Sequence, residues 1–194
     1  ARALEPLGYR LAYSPGRFTY EMTCLPVEGV GRRHEIDLHC RLVQPLVFAE
    51  ALGFDELWEA SMSLERLGGM RRLGTEHALL HACLHRAMDM VLRRPDSLKW
   101  RYDIHLLLAR MDAQAWLVFG RLAERKHLAG LSLQSLNDAI ETFGGVLPAD
   151  VAVALANAER GEPVDWRRLG NWRYMQWRNL QALPSVGQRI RWIW

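Results

Sequence analysis

The segment 34–42 carries side chains of the types that could hold a metal or move a proton. If it forms a strand, the period of two places Glu35, Asp37, His39 and Arg41 on one face and apolar residues on the other. An aspartate on a strand flanked by aliphatic residues can be held rigidly at a cleft, as a metal site requires. The alternative is that these four residues form the solvated face of an edge strand.

A second group is a stripe of histidines, in which His77, His81 and His85 recur every four residues. This spacing places them on one flank of a helix. Two histidines four residues apart can bind zinc, but the HExxH pattern is absent. The alternative is a row of partly buried, hydrogen-bonded histidines beside the apolar face that Leu80 and Leu84 form.

The third candidate is Asp103, which shares a helix face with Trp100 and Leu107. We expect Asp103 to be partly buried on that face. A buried carboxylate without a partner is costly, so a histidine of the preceding helix or a nearby arginine is expected to pair with it. A purely structural role, in which Asp103 ties two helices together, stays open.

Tryptophan and arginine alternate near the C-terminus. Five of the eight tryptophans lie in residues 166–194, among six arginines. Basic and aromatic side chains together suit RNA or a nucleotide. The spacing from Trp166 to Leu180 also fits an ordinary amphipathic helix that packs on a core.

These residues must be positioned by two kinds of element. Aromatic and β-branched residues with glycine and proline turns predict a small mixed or antiparallel sheet in residues 1–44, and helical periodicity predicts a helical domain in residues 45–194. The fold class is therefore α+β. The predicted strands run about Tyr9 to Tyr13, Phe18 to Leu25 and Glu35 to Leu42.

The helical domain is expected to contain about six helices, with one short extended piece at Met70 to Leu73. Thr75 and Ser97 are predicted N-caps, and Pro148 is predicted in the first turn of its helix. The predicted helices run from Thr75 to about Leu92, Ser97 to Met111, Ala113 to His127, Ser132 to Phe143, Pro148 to near Gly161, and onward from Val164.

Composition excludes several classes of protein. With 49% hydrophobic and 24% charged residues the chain is not disordered, and no apolar run approaches the roughly 20 residues that span a bilayer. Three widely spaced cysteines without a CxxC pair indicate neither a disulfide framework nor a zinc ribbon. We therefore predict a cytoplasmic protein without a membrane segment. The net charge of +3 is compatible with a phosphate-bearing ligand.

The ends of the chain are unusual. The first residue is not methionine, and the last five residues include two tryptophans and no acidic residue. We interpret both ends as cuts in a longer protein. Exposed tryptophans and a bare sheet edge would also favour association into a homo-oligomer.

Several short motifs follow one another along nearly the whole chain: Gly8-Tyr9, Glu35-Ile36-Asp37-Leu38-His39, Leu57-Trp58, Leu79-Leu80 with His85, and Leu98-Lys99-Trp100 with Asp103-Ile104. In this order they resemble the uncharacterised nucleotidyltransferase family related to the polymerase-beta superfamily. The resemblance implies transfer of a nucleotidyl group from a nucleoside triphosphate to an unknown acceptor, which could be a small molecule, a peptide or RNA.

The resemblance also implies a set of site residues. In such a core, two carboxylates on one strand and a third on a neighbouring strand hold a divalent ion, here Mg²⁺. Asp37 matches the third carboxylate, as a metal ligand or as a general base toward the acceptor, and His39 would face the same phosphate or metal. His85 and Asp103 match recurrent polar positions of the helical part, where they either line the cleft or brace it.

The first pair of carboxylates would lie in a Gly-x-x-Asp-x-Asp-like strand, and the chain contains no such motif. The sequence therefore predicts a fragment that lacks the first two catalytic carboxylates and is a poor catalyst.

Two other functions remain open at this point. One is a noncatalytic helical module that binds a protein, peptide or RNA. The other is a metal-dependent hydrolase that uses His81, His85, Asp103 and Asp37, which would require these side chains to converge within about 2.0 to 2.2 Å of one ion.

Overall fold

The sheet near the N-terminus is antiparallel and has three strands in the order β1-β2-β3. The computed structural model describes residues 2–13, 21–27 and 34–193. Thr23 of the middle strand lies opposite Asp37, and Glu21 lies opposite His39. The strands are β1 (Tyr9–Leu11), β2 (Glu21–Pro26) and β3 (Ile36–His39).

The first and third strands are shorter than the sequence predicts, and the second ends at Pro26, one residue later than predicted. Residues 18–20 of the predicted second strand lie outside the described residues. Glu35 and Arg41, which we expected within the third strand, lie just before and after it. The strand pairing explains where β3 begins and ends, because β3 pairs with β2 only between Ile36 and His39. The expected alternation holds within these four residues, where Asp37 and His39 are exposed and their neighbours are half-buried.

Eight α-helices and a second, two-stranded sheet follow among the described residues. Helix α1 and the hairpin of β4 and β5 come first. The predicted piece at Met70 is thus one arm of a hairpin whose other arm was missed. The bounds are α1 (Phe54–Glu59), β4 (Met62–Leu64), β5 (Met70–Arg72), α2 (Thr75–Val91), α3 (Leu98–Leu108), α4 (Ala113–Arg125), α5 (Ala129–Phe143), α6 (Ala149–Glu159), α7 (Trp172–Ala182) and α8 (Val186–Ile193).

The first residues of the helices show which local signals determine where a helix begins. Ser97 caps α3 as predicted, since its hydroxyl accepts a hydrogen bond from the Lys99 amide at 3.3 Å. Thr75 is not a cap but the first helical residue, and Gly74 precedes it. A Cβ at Gly74 would lie 2.8 Å from the carbonyl oxygen of Ala60, so a close approach of two backbone segments requires glycine there.

The later helix starts also differ from the prediction. Pro148 lies at the N-cap of α6, one residue before the first turn. A helix from Val164 does not form. A single 3-10 turn, Trp166–Arg168, comes first, and α7 starts only after Asn171, whose side chain accepts a hydrogen bond from the Tyr174 amide. Asparagine at that position competes with helix propagation, which places the boundary there.

The core of the helical region is built around α2, which packs against α3, α4 and α5. Leu79, Leu80 and Leu84 of α2, Ile104 of α3 and Phe119 of α4 are at most 1% exposed. Burial of each such side chain contributes about 1.5 to 3 kcal/mol. The buried face of α2 leaves His81 and His85 half-buried on its flank.

A buried arginine joins three of these helical elements. Arg86 of α2 is 5% exposed and donates hydrogen bonds to Asp96, at 2.9 Å from Nε, and to Asp138 of α5. Arg101 of α3 also donates to Asp96. Two carboxylates thus satisfy one buried guanidinium, which fixes α2, α3 and α5 relative to one another.

The segment after α6 returns to the beginning of the helical region. Helix α7 packs on the 3-10 helix Leu46–Phe48, and the buried Asn179 side chain accepts a hydrogen bond from the Val47 amide at 3.1 Å. This bond joins positions 132 residues apart. No helix in the described ranges is long and apolar enough to cross a membrane. The predicted boundary between residues 44 and 45 stays a prediction.

Candidate functional site

A groove lies between α2 and α3, at the positions where the histidine stripe and Asp103 are found. It has a volume of about 360 Å³ and is called the α2–α3 groove below. Helical spacing brings its residues together, since positions three or four apart lie on one face of each helix. The lining residues are Ala78, His81, Ala82, His85, Trp100, Asp103, Leu106, Leu107 and Arg110.

The aromatic part of the groove is a fixed stack. The His85 ring lies on Trp100 with 4.6 Å between centroids and 29° between planes, and the His81 ring meets His85 edge-on at 4.8 Å. Trp100 donates from its indole nitrogen to the Asp89 carboxylate at 2.9 Å, and Lys99 Nζ lies 4.8 Å from the Trp100 ring centroid. The indole is therefore held in place before any ligand binds.

Both groove histidines are neutral around pH 7. Burial, together with positive charge on His85 and on His39, lowers the pKa of His81 to about 4. Burial and the charge of His39 also lower the pKa of His85. Neutral imidazoles donate or accept hydrogen bonds but do not neutralise phosphate charge. Positive charge near the groove comes instead from Arg110, which lines it, and from Lys99.

His39 brings the end of β3 to this groove. It is exposed, its Nε2 atom lies 3.7 Å from Glu21 Oε2, and its charge reaches both His81 and His85. Asp37 lies two residues earlier on the same exposed side of β3. The structure thus brings β3 and the histidine flank of α2 into one neighbourhood, which no sequence spacing could show.

Asp103 is half-buried, as expected, but the expected partner is missing. Its carboxylate makes no hydrogen bond or ion pair with any of the described residues. Arg110 and both groove histidines line the same groove without reaching it. The groove is open to solvent, so water can solvate the carboxylate and the predicted burial penalty does not arise.

The remaining candidates lie elsewhere. Glu35 is exposed ahead of β3. Arg41 lies 3.3 Å from Glu50 and lines a different cavity of about 370 Å³ near α7. His77 faces away from the groove, with its Nε2 atom 3.6 Å from Glu56. The histidine stripe therefore divides between two environments.

Arg110 is the groove residue that the sequence reasoning missed. A signal existed, because Asp103, Leu107 and Arg110 follow the i, i+4, i+7 spacing of one helix face. The described ranges hold no group of three or more histidine, cysteine, aspartate or glutamate side chains that could bind a metal. For the same reason His81, His85, Asp103 and Asp37 do not converge as the hydrolase hypothesis requires.

The chain matches the model of a known protein family. The family described as an uncharacterised nucleotidyltransferase matches residues 1–160. The chain belongs to this family. No curated protein and no solved structure shows significant similarity to it.

Membership in the nucleotidyltransferase family confirms the resemblance and does not favour the noncatalytic alternative. It implies a nucleoside triphosphate substrate and, in general, use of a divalent metal. Placement of the family in the polymerase-beta superfamily stays a prediction. The match covers β3 and the α2–α3 groove, and it ends before α7 and α8.

The described residues do not fit a complete magnesium site. Mg²⁺ prefers carboxylate oxygens, and the exposed carboxylate of Asp37 could provide one ligand. No group of three candidate ligands is found in residues 2–13, 21–27 and 34–193.

Proposed function

We propose that this member of the nucleotidyltransferase family acts in the transfer of a nucleotidyl group from a nucleoside triphosphate to an acceptor, and that the α2–α3 groove and the end of β3 bind the reactants. The observation that carries the proposal is the α2–α3 groove itself, in which His81 and His85 lie beside the unpaired Asp103, with His39 close enough for its charge to lower the pKa of both histidines. Three separate elements contribute these residues, and all lie within the range that matches the family.

The groove has two properties that suit a nucleoside or a similar planar group. The fixed stack of His85 on Trp100 offers an aromatic surface, and stacking on such a surface is worth about 1 to 3 kcal/mol per base. Asp103 offers a free carboxylate that can accept a hydrogen bond from an amine or hydroxyl. The neutral histidines add further hydrogen-bonding groups without repelling a cation.

Asp37 is proposed in one of two roles, as a ligand of a divalent cation such as Mg²⁺ or as a general base toward the acceptor. Its exposed carboxylate on β3, beside His39, supports both. The acceptor is a small molecule, a peptide or RNA. Three free cysteines support a cytoplasmic location, and the exposed Trp58 on α1 supports a homo-oligomer.

Calorimetric titration tests the proposal. ATP, GTP, CTP and UTP are titrated, with and without Mg²⁺, into the protein and its Asp103→Asn and Asp37→Asn variants. We expect at least one triphosphate to bind, and Asp103→Asn to weaken binding about 10-fold because a charged hydrogen bond is lost. Asp37→Asn is expected to remove the dependence of binding on Mg²⁺.

Asp55→Asn is the matched control, because Asp55 is exposed on α1 outside the groove. Its binding should equal that of the unchanged protein. Since Asp103 has no partner among the described residues, its substitution should leave the thermal unfolding temperature unchanged. Absence of binding for all four triphosphates, or equal binding by all variants, would contradict the proposal.

A further inference from the structure

A second aromatic surface lies between α7 and α8, beyond the residues that match the family. It is a groove of about 410 Å³ formed by Trp172, Arg173, Gln176, Trp177, Leu180 and Trp192, and is called the tryptophan groove below. Viewed along the axis of α7, Trp172 and Trp177 lie on either side of Arg173, Gln176 and Leu180. The nucleotidyltransferase proposal does not use this surface.

The fold does not explain the exposure of these indoles. Trp172 is 64% exposed and Trp177 is 58% exposed, whereas α7 is anchored by Met175 and Asn179 on its buried side. Trp192 is held at the groove by a hydrogen bond from its indole nitrogen to Gln176, at 3.2 Å. Indoles gain stability mainly by burying their large surface. Two exposed indoles on one ordered helix therefore indicate a surface that a ligand covers.

The charge around the groove identifies the kind of ligand. Residues 166–194 contain six arginines and no aspartate, glutamate or lysine. Arg173 lies in the groove and makes no ion pair or hydrogen bond with the described part of the chain. An unpaired guanidinium between two exposed indoles complements a ligand that carries both negative charge and flat apolar faces.

We propose that the tryptophan groove binds single-stranded nucleic acid, with bases stacked on Trp172 and Trp177 and a phosphate on Arg173. Single strands present both features at once, since their bases are free to stack on aromatic side chains and their backbone is anionic. A duplex hides its base faces. An acidic peptide would pair with the arginines but would leave the indoles without a matching flat surface.

Fluorescence anisotropy with a labelled oligouridine of about 12 nucleotides tests the proposal at several salt concentrations. We expect binding that weakens with salt. Trp177→Ala should weaken it about 5-fold or more through loss of stacking. Arg173→Gln should reduce the slope of log affinity against log salt by about 0.7, as for the loss of one phosphate contact to a single strand.

Two control variants match these changes elsewhere on the surface. Trp58 on α1 is 54% exposed, and Arg66 is exposed on the β4–β5 hairpin, so Trp58→Ala and Arg66→Gln should bind like the unchanged protein. Circular dichroism checks that every variant is folded. Triphosphate binding by Trp177→Ala should be unchanged, which separates this result from the test of the nucleotidyltransferase proposal.

Four outcomes would overturn the inference. The first is that the oligonucleotide fails to bind at moderate salt. The second is that a duplex of the same length binds as tightly as the single strand, and the third is that Trp58→Ala reduces the affinity as much as Trp177→Ala. The fourth is that the groove is covered by something else. Sedimentation would then show self-association that Trp177→Ala abolishes, or the protein would bind anionic lipid vesicles but not the oligonucleotide.

Discussion

His81 lies in an environment that disfavours its charged, doubly protonated form. It lies edge-on to His85, receives the charge of His39, and is largely removed from water. Each of these factors disfavours the imidazolium ion. At neutral pH His81 and His85 can lie ring against ring because neither needs to be charged. In acid, positive charge on His85 opposes protonation of His81.

This arrangement predicts a pH dependence of stability. The pKa of His81 is about 4 in the folded chain and 6.5 ordinarily, so between these values the unfolded chain binds more protons. The free energy of unfolding should therefore be highest above pH 6.5 and fall as the pH approaches 4. We expect His81→Asn to remove roughly 2 kcal/mol of this fall, measured by urea denaturation across that pH range.

His127→Asn is the control, because His127 is exposed at the end of α4 and outside the groove. Its stability should keep the pH dependence of the unchanged protein. If His81→Asn shows the same dependence as His127→Asn, the coupling among the histidines is not what destabilises the protein in acid.

At the level of residues, the sequence predicted which side chains share a face but not which faces meet. Two patterns were sufficient to predict which side chains share a face: the four-residue spacing of His81 and His85, and the alternation in β3. The approach of His39 to both histidines depends on long-range packing and has no local signal. The prediction that Asp103 pairs with a histidine or an arginine was wrong, because the sequence of one helix does not show whether the groove beside it is open to solvent.

Among the elements, α2, α3 and α5 are joined by a charged contact. In the sequence Arg86 lies among apolar residues of α2 and looks like a solvent-facing exception to the pattern. In the structure its side chain is only 6% exposed and bonds to Asp96 and to Asp138 of α5. The hydrogen bond to Arg86 lowers the pKa of Asp96, as expected for a carboxylate beside a cation.

Removal of this cation should destabilise the protein strongly. Arg86→Gln leaves two partly buried carboxylates without their shared partner, which typically costs about 3 kcal/mol or more. Urea denaturation followed by circular dichroism measures the loss. Arg167→Gln breaks an ion pair to Glu159 in which the arginine side chain is 60% exposed, and should cost less than about 1 kcal/mol. Equal losses in the two variants would contradict the structural role of Arg86.

Element boundaries were predictable where a side chain caps its own helix. Ser97 is such a case, and α3 starts where the sequence indicates. The start of α2 was not predictable from its own residues. Glycine is required at its N-cap, Gly74, because the Ala60 carbonyl, at the end of a different helix, approaches closely. The hairpin was only half recognised because β4, three residues long, is too short for an alternating pattern.

On the scale of the whole molecule, the beginning of the helical region and α7 meet through Val47 and Asn179. Asn179→Ala would leave the Val47 amide without its partner in a partly buried position. Such a loss costs about 1 to 3 kcal/mol of unfolding free energy, which denaturant unfolding would detect. Asn157→Ala on the exposed side of α6 is the control, with an expected change within about 0.5 kcal/mol. A loss no larger than that of the control would show that this contact does not hold α7.

The broad plan of the molecule was predictable, and the closure of its core was not. The change from strand-like to helix-like composition near Pro45 indicated an α+β fold correctly. The return of α7 to the 3-10 helix at Leu46 has no counterpart in the sequence pattern, because it joins segments about 130 residues apart. Of the two interpretations of the tryptophans, packing on the core is wrong for Trp177, since α7 buries Met175 and Asn179 and leaves Trp172 and Trp177 outside.

The three thiols differ sharply in accessibility. Cys24 and Cys83 are at most 1% exposed, and burial raises the pKa of Cys83 to about 12, so its reactive thiolate form is scarce. Cys40 is exposed and directly follows His39 at the end of β3. A maleimide dye should therefore label the folded protein at Cys40 alone, without any substitution. The fluorophore would stand beside the α2–α3 groove, where its emission could report the arrival of a ligand in real time.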